Sequence, residues 1–155
     1  PPDYVDLFTV TTSGAAGWSP EQWARAGFED AAGLRGQFVW RVLVGLRLEH
    51  RPSLDRVAGW RIADRGHDWV RLDAASRFLT AQVVFHVDGE QLSVATFIRY
   101  DRPTAAVLWP PLSAGHRRAV PGLLRHAVRA LSTRSSVARP PARRRPARQG
   151  MRPSQ

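Results

Sequence analysis

The sequence predicts an α+β domain, an antiparallel sheet followed by one long C-terminal helix. Three observations predict it. Two runs rich in Val, Ile and Phe within Thr80–Tyr100 flank Asp88-Gly89. An Asp-Gly pair between alternating apolar runs is the strongest short-range hairpin signal. Ser19-Pro20 opens a well-marked helix start. Finally, Leu112, His116, Val120, Leu123, Leu124, Ala127 and Leu131 form an apolar stripe over Ser113–Leu131, with Arg118, Arg125 and Arg129 off it.

The elements follow in order. Tyr4–Thr11 (YVDLFTVT) is β-branched and aromatic and reads as a first strand. Ser19 can cap the next helix, Pro20 suits its first position, and Gln22 completes a capping box. Trp18 and Trp23 are spaced as a hydrophobic staple. This helix is expected to reach about Asp30. In Gly33–Leu48, Leu34, Phe38, Val42 and Leu46 recur every four residues, which favours a second helix over a buried strand. His50–Arg56 reads as a loop.

Ala58–Asp64 and Trp69–Ala75 are short strands around Arg65-Gly66-His67. That loop places Trp60 opposite Leu72 and Ile62 opposite Val70. A two-residue Asp88-Gly89 turn places Phe85 opposite Leu92 and Val83 opposite Val94. Leu79, Ala81, Val83, Phe85, Leu92, Val94, Thr96, Ile98 and Tyr100 then share one face, as in a sheet with one buried side. Pro110-Pro111 is expected to interrupt the chain before the last helix, and Pro121 to kink it.

The 155 residues, 43% of them apolar, suit a single globular domain. All 23 basic residues are arginine. Sixteen of them lie in residues 1–132 with all 13 acids, a balance of +3, so the net charge of +10 belongs mostly to the tail. The domain is therefore placed at 1–131. Residues 132–155, rich in Arg and Pro and lacking an apolar run, are expected to be disordered. No apolar run reaches the ~20 residues of a spanning helix. PPDYVDLF does not have the pattern of a signal peptide. The absence of cysteine excludes disulfides, thiol nucleophiles and cysteine metal sites, and a cytoplasmic setting is expected.

This order of elements resembles the helix-grip domains of the START and polyketide-cyclase-like (SRPBCC-type) superfamily. Two stretches carry the resemblance further: WRVLVGLRLEH (Trp40–His50) and TFIRYDRPTAAVLWPPLSAGHRRAVPGLLRHA (Thr96–Ala127). They are similar to an uncharacterised bacterial branch in which a Phe-x-Arg-Tyr strand end leads into an aromatic turn and a His-Arg helix. The resemblance covers residues 3–131. It implies a curved sheet gripping the C-terminal helix, two short helices after the first strand, and a pocket between sheet and last helix. It says little about activity, since one fold hosts many functions.

Such a pocket would take a small apolar or amphipathic molecule. Trp40, Trp60, Phe85, Val94 and Trp109 could wall it, together with Trp69, while Thr96, Tyr100 and His116 supply polar groups. The plainer reading of the same face is a packed core. An enzyme alternative uses His116 and Tyr100 as acid and base in a cyclase- or dehydratase-like reaction. A third alternative is an interaction module without ligand, dimerising through the exposed sheet edge. The histidines form no metal pattern, and no motif implies a cofactor. The basic tail could meet phosphates, but it has no aromatic residue for stacking on bases. The sequence therefore argues against a nucleic-acid role.

Overall fold

A computed structural model describes residues 1–31, 45–48 and 53–138. The architecture is α+β. Strand β1 (Tyr4–Thr11) leads through a 3-10 turn, Ala15–Gly17, into α1 (Pro20–Arg25), which continues as a π-helical turn, Ala26–Ala31. The remaining strands are β2 (Arg56–Val57), β3 (Trp60–Arg65), β4 (Trp69–Ala75), β5 (Leu79–Asp88) and β6 (Gln91–Tyr100). The chain closes with α2, Pro103–Ala138. The six strands form one curved antiparallel sheet in the order β1-β6-β5-β4-β3-β2.

The capping box at α1 forms as expected. The Gln22 N–H donates to Ser19 Oγ at 3.2 Å, and the Ser19 N–H donates to Gln22 Oε1 at 2.8 Å. Trp23 is buried, and its indole N–H donates to the Ala15 carbonyl at 3.0 Å. Gly27 lets the π-helical turn approach α2, because a Cβ there would lie 2.8 Å from Leu123 Cδ2.

Strand alternation sorts the sheet into two faces. Leu79, Ala81, Val83, Phe85, Val87, Leu92, Val94, Thr96 and Ile98 are all buried on the inner face. Against this face pack α1 and one stripe of α2, whose buried members are Ala105, Trp109, Ser113, His116, Val120, Leu124, Ala127 and Leu131.

Both hairpin registers differ from expectation, by two residues in the central hairpin and, in β3–β4, by two before an irregularity and three after it. In the central hairpin Phe85 pairs with Val94 and Val87 with Leu92, because the turn is Gly89-Glu90 and Asp88 pairs with Gln91. Gly89, at φ +57°, takes the left-handed position that the first turn residue needs. In the β3–β4 hairpin Ile62 pairs with Leu72 and Arg65 with Val70, across an irregularity between Ile62 and Asp64. Here Arg65 belongs to the strand, and the loop is Gly66–Asp68. A shift of two preserves side-chain parity, so the buried set of the central hairpin is unchanged even though the partners move.

Three further differences have physical causes. Gly45–Leu48, expected to end a second helix, is neither helix nor strand, with Gly45 at φ +63° and the Arg47 N–H donating to the Ala75 carbonyl at 2.9 Å. The rest of that expected helix lies outside the described residues. Second, Pro110-Pro111 does not end α2, which runs unbroken through Pro110, Pro111 and Pro121. Burial of Ala105 and Trp109 on one side and Ser113 and His116 on the other holds both sides of the proline pair against the sheet. Finally, α2 extends past Leu131 to Ala138, seven residues into the expected tail. Residues 139–155 lie outside the described residues. Among the described residues, no helix is long and apolar enough to cross a membrane.

Candidate functional site

The polar groups of the inner face converge where β1, β6 and α2 meet. Asp6 on β1 pairs in register with Thr96 on β6, so their side chains stand side by side facing α2. His116 descends from α2 onto both. Its Nε2 lies 3.0 Å from Asp6 Oδ2 and 3.2 Å from Thr96 Oγ1. Tyr4, two residues before Asp6 and therefore on the same face, donates its hydroxyl to Asp6 Oδ2 at 2.7 Å. Trp109, just under two helical turns before His116, closes the group. Its ring meets Tyr4 edge-on at 5.3 Å and lies 5.9 Å from the His116 ring.

The cluster is enclosed: the His116 side chain is 5% exposed and that of Asp6 9%. Desolvation pushes the Asp6 carboxyl up. Hydrogen bonds from His116 and Tyr4, with the attraction of His116 and the nearby Thr96 hydroxyl, more than reverse it, so the group is held below the usual carboxylate range. Asp6 is therefore ionised near neutrality. An ionised carboxylate can only accept, so the His116 Nε2 atom facing it carries the hydrogen. One carboxylate oxygen, Oδ2, serves both Tyr4 and His116. The other, Oδ1, is buried with no hydrogen-bond partner. A buried unsatisfied acceptor typically costs about 1–3 kcal/mol, more when charged.

Tyr4 responds oppositely. Burial, then the hydrogen bond to Asp6 and its negative charge, push the Tyr4 hydroxyl up to about 12, with Arg117 opposing. A raised pKa favours the protonated form in the fold. This stabilisation is complete below pH ~10, where the unfolded chain's tyrosine titrates, and is lost as pH rises through about 12. Alkaline titration followed by phenolate absorbance should therefore show a late step that Tyr4→Phe removes. If the late step survives that substitution unchanged, it belongs to Tyr100, and Tyr4 is not the strongly raised group.

The residues expected at the site separate into two groups. Thr96, Trp109 and His116 are in the cluster. Trp60 and Phe85 are in the packed core, where Phe28 stacks on Trp60 at 5.7 Å and meets Phe85 edge-on at 5.5 Å. Val94 is buried between its register partners Phe8 and Phe85. Tyr100 lies on the same face, one end further along β6, where its backbone N–H donates to an Asp3 carboxylate oxygen. Burial, followed by the Asp3 charge, raises the Tyr100 hydroxyl. Trp40 lies outside the described residues. The tyrosine on the His116–Asp6 cluster is thus Tyr4.

Asp6 and Tyr4 were not among the expected site residues. In β1 both faces look alike, with Tyr4, Phe8 and Val10 on one and Val5, Leu7 and Thr9 on the other. Only the pairing with β6 shows that Asp6 faces inward. No group of three metal-ligating side chains occurs among the described residues. Compared with family models, curated proteins and solved structures, the chain matches none.

Proposed function

We propose that the domain binds a small amphipathic molecule between the inner face of the sheet and α2, with its polar end at Asp6, Thr96 and His116. The observation that supports this most is the buried carboxylate oxygen Asp6 Oδ1, which lacks a donor. A hydroxyl, amide or amine on a ligand would supply that donor, while the surrounding apolar face would accept the rest of the molecule. The helix-grip arrangement of sheet and last helix suits such a role.

Because Asp6 is enclosed, the reading implies a slowly exchanging ligand that survives purification. Native mass spectrometry of the chain isolated from its own host is expected to find a bound organic molecule. Asp6→Asn, which turns one acceptor into a donor, should reduce its occupancy several-fold. A wild-type chain that carries no small molecule, or an Asp6→Asn chain that carries it equally, would overturn the reading in favour of an interaction module.

The Asp6–His116 hydrogen bond favours a second reading, since a carboxylate that orients an imidazole is half of a general acid–base arrangement. His116 would then move a proton on the bound molecule in a cyclase- or dehydratase-like step. Returning the released compound to fresh protein separates the two: recovery unaltered supports binding, conversion supports catalysis.

A further inference from the structure

A second polar feature lies away from Asp6, on the rim where the β4–β5 turn meets the start of α2. Arg47, Arg77, Phe78, Arg102 and Thr104 line a cleft of about 500 Å³. We infer that this cleft binds a small, multiply charged anion bearing a phosphate or pyrophosphate group.

Three separate pieces of chain bring the arginines together, and backbone hydrogen bonds tie the pieces down. The Arg47 N–H donates to the Ala75 carbonyl at 2.9 Å, at the end of β4. Ser76 Oγ accepts from the Phe78 and Leu79 N–H groups, both at 3.1 Å, and so shapes the turn that carries Arg77. The Asp101 and Arg102 N–H groups both donate to the Phe78 carbonyl, at 2.8 and 3.0 Å. The cleft is therefore built around Phe78 by these hydrogen bonds, and among the described residues Arg47, Arg77 and Arg102 are its only ionisable lining.

What distinguishes the site is that three arginines without a carboxylate partner among the described residues line one cleft. Elsewhere Arg25, Arg61, Arg65, Arg71 and Arg99 each pair with a carboxylate. Arg47, Arg77 and Arg102 pair with none among the described residues. The nearest acid in sequence, Asp101, is taken by Arg99 and Thr80. Three cations gathered without a counter-charge among the described residues repel one another, and an anion between them reverses the sign of that interaction. Guanidinium groups offer only donors, in forks that match phosphate oxygens. The volume falls in the range of small-molecule sites, ~300–1,000 Å³. An extended nucleic-acid track would need stacking aromatics along it, and among the described residues Phe78 is the cleft's single aromatic.

The test is an NMR titration of the full chain with inorganic pyrophosphate, with sulfate and chloride at matched ionic strength as parallel arms. The expected result is saturable shifts of the Phe78 and Thr104 amides, with pyrophosphate binding more tightly than sulfate and chloride inactive. Arg77→Gln with Arg102→Gln should weaken binding about tenfold or more. Arg125→Gln with Arg129→Gln, on α2 away from the cleft, should change it less than about twofold. The C-terminal arginines are present in every variant, so their contribution cancels. The inference is overturned if the cleft amides do not move, if the Arg77/Arg102 variant titrates like wild type, or if chloride reproduces the pyrophosphate shifts. It does not depend on ligand binding at Asp6, and either can fail alone.

Discussion

Replacing His116 with alanine is expected to destabilise the fold by about 3–5 kcal/mol, because it leaves Asp6 as an ionised carboxylate in an enclosed site. In the intact cluster Asp6 Oδ2 receives His116 Nε2–H and the Tyr4 hydroxyl. Without the imidazole, the carboxylate keeps one donor, from Tyr4, and either stays charged in an enclosed site or takes up a proton at a cost to the fold. Removing both side chains should cost much less. Asp6→Leu combined with His116→Leu is expected to recover most of the loss, since a buried pair is often no more stable than well-packed apolar side chains. Urea denaturation of the two single variants and the double variant supplies the cycle. A loss in the double variant equal to the sum of the two single losses would mean that the two side chains do not act as a pair. Acid should echo the same effect. Asp6 is held below its ordinary value, so its contribution is complete above the unfolded carboxylate range and fades as pH falls through the lower folded value. The double variant should lack that acid-sensitive component. If the stability of the double variant returns while ligand occupancy does not, the pair is kept for binding rather than for folding.

The sequence made the scaffold legible wherever a local rule was enough. Ser19, Pro20 and Gln22 specify a helix start through contacts within four residues, and the capping box forms as written. Alternation in Thr80–Tyr100 assigns the buried face correctly because parity survives a register shift of two. What local rules cannot supply is choice among equals. Asp88-Gly89 and Gly89-Glu90 both allow a two-residue turn, and the fold uses the one with glycine first. The faces of β1 could not be told apart until β6 paired with it. That is why His116 and Thr96 were recognised as polar members of an apolar face while their partner Asp6, 90 residues from Thr96 and 110 from His116 in sequence, was not. Pro110-Pro111 was misleading for the opposite reason. A local rule predicts a break there, and tertiary burial on both sides overrides it.

That override makes Trp109 the second site of large expected effect. Proline has no N–H, so Pro110 and Pro111 leave the Ala106 and Val107 carbonyls without their helical donors. The first two turns of α2 are thus joined to the rest by a weakened ladder. Their buried anchors are Ala105 and Trp109, at 0% and 1% exposed. Trp109→Ala removes the larger anchor together with its ring contacts to Tyr4 and His116, at an expected cost of about 3–5 kcal/mol. Trp109→Phe keeps an aromatic edge for Tyr4 and should cost about half as much. The loss should not be uniform. With the anchor gone, residues 103–109 have little beyond Ala105 to hold them, so their amides should exchange with solvent ahead of those of β5 and β6. Hydrogen exchange resolved by residue checks this, and protection that falls equally throughout the chain would show that the prolines do not divide α2. Fraying there would also displace Thr104, next to Arg102 on the phosphate-binding cleft. Pyrophosphate affinity in Trp109→Ala should then fall although no cleft residue has changed. The prolines divide α2 into a long segment that carries His116 to the sheet and a short one that completes the anion cleft, and Trp109 clamps the two together.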